Sequence, residues 1–111
     1  MKLYQKKCIP CDGNIPPFSI SQMRYYCKKI KSWKIKKNKF YYLNKIMKFK
    51  NFLESLKFVN KISLIAEKEN HHPDLKFGWG YVEITILTHA IKGLSESDFI
   101  LASKIDKLSN S

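Results

Sequence analysis

The sequence predicts an α+β fold of two layers, with a four-stranded antiparallel sheet and three helices packed on one face. Three observations point there. Segments of alternating apolar and polar residues come in pairs, at 33–36 with 40–48 and at 75–79 with 81–89, each joined by a short turn-forming stretch. Segments of helical period lie before, between and after these pairs, at about 19–31, 50–69 and 95–108. Apolar residues make up 44% of 111 positions and aromatics 14%, enough for one core without disulfides.

Residues 1–18 read as an irregular N-terminal extension, because Asp12-Gly13-Asn14 and Pro16-Pro17 oppose regular structure. Residues 19–111 then form a single domain. Ser19 or Ser21 can cap a first helix that runs to about Lys31, with Ile20, Met23, Tyr26, Cys27 and Ile30 on one side. Trp33-Lys34-Ile35-Lys36 alternates as a strand, Lys37-Asn38-Lys39 turns, and Phe40 to about Lys48 returns.

The segment from about Lys50 to Glu69 is the clearest helix. Lys50, Glu54, Lys57, Lys61 and Lys68 share one narrow polar face. Phe52, Leu53, Leu56, Phe58, Val59, Ile62, Leu64, Ile65 and Ala66 spread over most of the rest. A helix on one sheet needs an apolar stripe of only about 100° or a little more. The surplus calls for a second cover, either another helix of this chain or a partner subunit in a homodimer or homotetramer.

After Asn70 and Pro73, Leu75–Trp79 and Tyr81–His89 form a second hairpin, with Gly78 and Gly80 near its turn. Val82, Ile84, Ile86 and Thr88 point one way, and Glu83, Thr85, Leu87 and His89 the other. Gly93 marks a loop. Ser95 is a helix N-cap with Asp98 three residues on, in the manner of a capping box. Phe99, Ile100, Ala102, Ile105 and Leu108 give the last helix its buried side.

Apolar runs are too short to span a membrane, and the first residues lack an apolar signal core, so the expected location is cytoplasmic. Net charge is +12, from 21 basic and 9 acidic residues. That can mark a nucleic-acid binder. However, Arg24 is the only arginine, and the lysines are spread from Lys2 to Lys107. Arginine is the residue favoured for bidentate phosphate and guanine recognition, so a general lysine bias is the better reading. Cys8-Ile9-Pro10-Cys11 has CxxC spacing, open to a metal or redox reading. With Cys27 as the third cysteine, a four-ligand zinc site is incomplete.

The three histidines are His71, His72 and His89. The first two follow directly from the long helix and the third ends the last predicted strand. A helix end and a strand end can meet at one rim of a two-layer domain. Histidine, with an unperturbed pKa of about 6.5, can both give and take protons near neutrality. Glu67 lies one turn before His71, where it can orient an imidazole, or else pair with a surface lysine at little gain. Adjacent histidines aim poorly at one ion and no HExxH spacing is present, which favours metal-free acid/base chemistry.

Taken together, Ala66-Glu67-Lys68-Glu69-Asn70-His71-His72-Pro73, then Tyr81 through His89, then Gly93-Leu94-Ser95-Glu96-Ser97-Asp98 resembles the pterin-4a-carbinolamine dehydratase family. The resemblance extends back to Trp33, and Cys8-Ile9-Pro10-Cys11 with Pro16-Pro17 looks like the N-terminal extension of some members. It implies the fold outlined above and removal of water from a 4a-hydroxytetrahydropterin to give quinonoid dihydropterin, recycling the cofactor of aromatic amino-acid hydroxylases. It also implies a pterin substrate and no cofactor or metal. His71 and His89 would be the acid and base, His72 would mainly hold the pterin, and Glu67, Asn70 and Thr88 would support the site. Asn70 departs from the aspartate of many relatives, Leu75-Lys76 from a bulky aromatic, and Ala90 from a polar residue. Some animal relatives also serve as dimerisation cofactors for a transcription factor, a non-enzymatic alternative that leaves room for a nuclear pool.

Overall fold

The computed structural model describes residues 2–9 and 13–108. Three helices, α1 (Ile20–Cys27), α2 (Phe52–Glu69) and α3 (Glu96–Leu108), accompany four strands, β1 (Lys34–Lys37), β2 (Tyr41–Lys48), β3 (Asp74–Gly78) and β4 (Tyr81–Ile86). The strands form one antiparallel sheet in the order β1-β2-β4-β3. The two hairpins therefore join through their second strands. Two short 3-10 turns, Leu3–Gln5 and His89–Ile91, complete the described elements. The expected α+β architecture is the observed one.

Register explains which face is buried. Leu43 pairs with Ile86, Lys45 with Ile84 and Met47 with Val82, while Leu75 and Phe77 face Ile84 and Val82 from the other side. This row of the sheet lies under the helices, and Leu43, Val82, Ile84 and Ile86 are fully buried. The alternate row carries Lys36, Tyr42, Asn44, Lys48, Lys76, Glu83 and Thr85, as the strand period of two requires. Gly80 takes the positive φ of +79° that the β3–β4 turn needs.

Two element ends differ from the sequence expectation. The first helix stops at Cys27 instead of near Lys31. Ile30 turns into the core and the Lys31 N–H donates to Asp106 Oδ2 at 2.8 Å, which draws the chain off the helical path. The last strand stops at Ile86, short of His89. Thr88 and Gly93 instead pair across a small loop, Thr88 N–H donating to Gly93 O at 2.9 Å, and Lys92 closes the turn in the left-handed region.

α3 is buried on nearly every side, including Ser97, Asp98, Ser103 and Asp106. Sheet and α2 cover part of it, and the N-terminal segment covers the rest. Lys104 Nζ donates to Tyr4 O at 2.9 Å, and Ile9 N–H to Ser97 Oγ at 2.9 Å. Phe18, Tyr26 and Phe99 stack with centroids 5.0–5.9 Å apart, pinning α1 to α3. On α2, by contrast, Phe52, Leu53 and Leu64 remain 48%, 57% and 74% exposed. The apolar surplus of that helix is thus not covered by the described residues.

Candidate active site

The long helix ends where the histidines begin. Asn70 adopts φ 51° and ψ 41°, and the His71 N–H reaches back to Ala66 O at 3.1 Å. Such a left-handed end is favoured by glycine and tolerated by asparagine. Asn70 thus has a backbone task at this position, and its side chain makes no hydrogen bond among the described residues. The sharp turn sends His71 towards α3 and leaves His72 outside.

His71 Nε2 lies 2.8 Å from Asp98 Oδ1. Asp98 is completely buried, near the start of α3. Its Oδ2 accepts from the Thr88 hydroxyl at 2.8 Å and from the Ser95 N–H at 2.8 Å. The Ser95 contact is one half of the expected capping box. The other half is replaced, because the Asp98 N–H goes to the Ser95 carbonyl at 3.2 Å. Three segments therefore converge on one carboxylate: the turn after α2, the stretch just beyond β4 and the start of α3.

This carboxylate is what the sequence reading of the site passed over. It read Asp98 as a cap only. The signal for more was its place among Phe99, Leu101 and Ala102, since an aspartate is almost never fully buried without a partner. A carboxylate accepts hydrogen bonds, so the pairing requires a proton on His71 Nε2. Nδ1 is then the ring nitrogen left outside this pair.

His72 turns the other way. Its Nε2 pairs with Glu67 Oε2, on side chains 54% and 77% exposed. Glu67 therefore engages His72 and not the lysine of the bland alternative. His89, first residue of the 3-10 turn, is exposed, and its ring has no hydrogen bond among the described residues. It follows Thr88 directly, so the Thr88–Asp98 bond ties its backbone to the His71 support.

The metal reading of the cysteines gains no support among the described residues. Cys11 lies outside the described residues. Cys8 and Cys27 belong to no group of three or more His, Cys, Asp or Glu side chains arranged to hold an ion, among the described residues. Burial and the neighbouring Glu69 push the Cys8 thiol up to about 12. Such a thiol is a poor nucleophile. No helix among the described residues is long and apolar enough to cross a membrane.

Comparison with known proteins bears on this arrangement. The sequence model of the family described as pterin 4 alpha carbinolamine dehydratase matches residues 16–108, a span that includes every residue of the site. The chain belongs to that family. A relative from Rubrobacter xylanophilus, provisionally named a pterin-4-alpha-carbinolamine dehydratase, is 42% identical over 107 residues, covering 96% of this chain and 98% of its own. One from Alkaliphilus metalliredigens with the same provisional name is 47% identical over 106 residues, covering 95% and 94%.

Among solved structures, a transcriptional coactivator/pterin dehydratase from Brucella melitensis superposes with a TM-score of 0.77 at 27% identity, over 83% of this chain and 97% of that one. A pterin dehydratase-like protein identified as a RuBisCO assembly factor in the alpha-carboxysome gives 0.62 at 26% identity, over 73% and 93%. The pterin-4a-carbinolamine dehydratases are hydro-lyases.

Proposed function

We propose that this protein is a 4a-hydroxytetrahydrobiopterin dehydratase acting in tetrahydrobiopterin recycling. The observation that carries the reading is the buried Asp98, shared by His71, Thr88 and Ser95. In the reaction the C4a hydroxyl receives a proton and leaves as water, while N5 gives its proton to a base. The quinonoid dihydropterin remains. One acid and one base suffice, and they return to their starting states together.

His71 and His89 are the acid/base pair. Asp98 fixes the His71 tautomer and ring orientation. His72, with Glu67 against it, holds the pterin, and Asn70 and Thr88 support the site. No metal or cofactor takes part. Residues 1–18 act as an extension of a dehydratase domain over 19–111. The exposed apolar residues of α2 are the contact surface of a homodimer or homotetramer, and the protein works in the cytoplasm.

The test is carbinolamine dehydration followed with His71→Ala, His89→Ala and the double variant. Each single variant should keep part of the activity. The double should fall by about 10²–10⁴-fold, the usual range for acid/base assistance. A double variant that turns over like the parent would end this assignment.

One observation favours a second reading. Phe52, Leu53 and Leu64 expose an apolar strip on α2, and the Brucella relative is described as a coactivator as well as a dehydratase. A dimerisation cofactor or binding module, with a nuclear pool, would use that strip and need no turnover. It predicts a folded protein without dehydratase activity whose partner binding survives loss of His71 and His89. Direct nucleic-acid binding is a weaker rival and predicts steeply salt-dependent retention on DNA or RNA.

A further inference from the structure

A cleft of about 660 Å³ opens between the N-terminal turn, α1 and α3, and none of the histidines lines it. We propose that it is a second binding site, for a small polyphosphate such as a nucleoside triphosphate. Its size falls in the range of roughly 300–1,000 Å³ usual for small-molecule pockets.

The charge of the walls gives the ligand class. Five lysines line the cleft, at 2, 6, 29, 31 and 107, against two carboxylates, Glu96 and Asp106. Both carboxylates are already occupied. Glu96 Oε2 accepts from Lys6 Nζ at 2.8 Å and from the Tyr26 hydroxyl at 3.2 Å. Asp106 accepts from the Lys31 N–H at 2.8 Å, from Trp33 Nε1 at 2.9 Å and from Lys45 Nζ at 2.8 Å. Lys45 stands outside the cleft, so the Asp106 charge is offset from behind. Lys2, Lys29, Lys31 and Lys107 form no ion pair among the described residues.

Two of these four are held in place. Lys29 Nζ sits 4.8 Å from the Tyr25 ring centroid and Lys107 Nζ 5.0 Å from that of Tyr4. Ring faces steady a cation without neutralising it. Several lysines around a concave site suit a compact group with many oxygens, because an ammonium is a point charge with three donors and needs no fork geometry. A single carboxylate would leave most of this charge unmatched. The concavity also sets the size. It admits a few linked phosphates, whereas a nucleic-acid backbone needs a stripe of contacts.

The experiment is calorimetric titration of the full chain in about 0.15 M salt, where diffuse surface attraction is screened within roughly 8 Å. The probes are inorganic tripolyphosphate, ATP, adenosine and a single-stranded oligonucleotide. The site predicts saturable binding of one tripolyphosphate or one ATP per chain and none of adenosine.

Lys29→Gln with Lys107→Gln should weaken that binding about tenfold or more. Lys36→Gln with Lys37→Gln removes the same charge from β1, including a lysine 4.9 Å from a tyrosine ring, and should change it less than about twofold. If the first pair alters the melting curve, Lys2→Gln with Lys31→Gln provides the same comparison. Equal weakening by the cleft and β1 pairs, absence of saturation, or tighter binding of the oligonucleotide than of tripolyphosphate would each overturn the proposal.

Discussion

Asp98 and Asp106 lie two turns apart on α3, both buried, and among the partners of each are an ionisable side chain, a neutral side chain and a backbone N–H. For Asp98 these are His71, the Thr88 hydroxyl and Ser95 N–H. For Asp106 they are Lys45, Trp33 Nε1 and Lys31 N–H. The difference is the counter-ion. Lysine keeps its charge through the neutral range, so the Asp106 pair ties α3 to β2 and to the end of α1. Histidine can gain or lose a proton in that range. Under the proposed function the Asp98 pair thus holds a group that reacts. One helix would then carry a structural carboxylate and a positioning carboxylate, built from similar parts.

The comparison is broken most directly at Asp106. Asp106→Asn removes the partner of Lys45, whose side chain is only 11% exposed. Loss of one member of a buried pair typically costs about 3–5 kcal/mol. For a domain of this size each 1 kcal/mol shifts the melting temperature by roughly 4–8 °C. A drop of at least about 10 °C is expected, with the folded fraction retaining normal turnover per molecule. Thermal denaturation and an assay well below the transition decide it. A variant that melts with the parent would show that the Lys45 pair is not what holds this corner.

Asp98→Asn should do the converse. The amide can still accept from Thr88 or Ser95, so much of the packing survives. However, it no longer presents a carboxylate to His71, and the ring loses its fixed tautomer. Turnover should fall by about 10²-fold, the lower range of acid/base assistance, with a smaller change in KM. If KM rises while turnover is preserved, Asp98 belongs to binding and the contrast with Asp106 fails.

The contrast also marks what the sequence made legible. Strand alternation at 81–88 correctly separates the buried Val82, Ile84 and Ile86 from the opposite row, because one face of a sheet is decided locally. Helical spacing likewise identifies α2 and its surplus of apolar residues. The histidines were singled out by their clustering, but the carboxylate behind His71 was not. Asp98 fits a cap from Ser95, a contact three residues long, and its bond to His71 spans 27. The same limit hid the burial of α3. Ser97 and Lys104 are covered by residues 88 and 100 positions away in the sequence, and no local period encodes a contact at that range. The ends of α1 and β4 shifted for a related reason, since Lys31 and Thr88 are fixed by Asp106 and Gly93 instead of by their own segments.

The smallest expected effect tests how far the Asp98 carboxylate is felt by the neighbouring N-terminal segment. Cys8 donates through its thiol to Ser97 O at 3.4 Å, and its backbone N–H donates to Glu69 Oε1 at 2.9 Å. Burial raises the thiol to about 12, with Glu69 adding most after that, Lys104 opposing and Asp98 contributing. The thiolate is the reactive form, so alkylation of Cys8 should be slow at pH 8 and should rise roughly tenfold per pH unit. In a background of Cys11→Ser and Cys27→Ser, iodoacetamide reports Cys8 alone. Asp98→Asn removes one negative neighbour and should speed alkylation by less than tenfold, on the order of twofold. Asp106→Asn, whose carboxylate is not among the causes of the Cys8 shift, should leave the rate unchanged below its melting transition. Identical rates in the Asp98 variant and the parent would show that the Asp98 carboxylate does not bear on the Cys8 thiol. In this respect Asp98 would then not differ from Asp106.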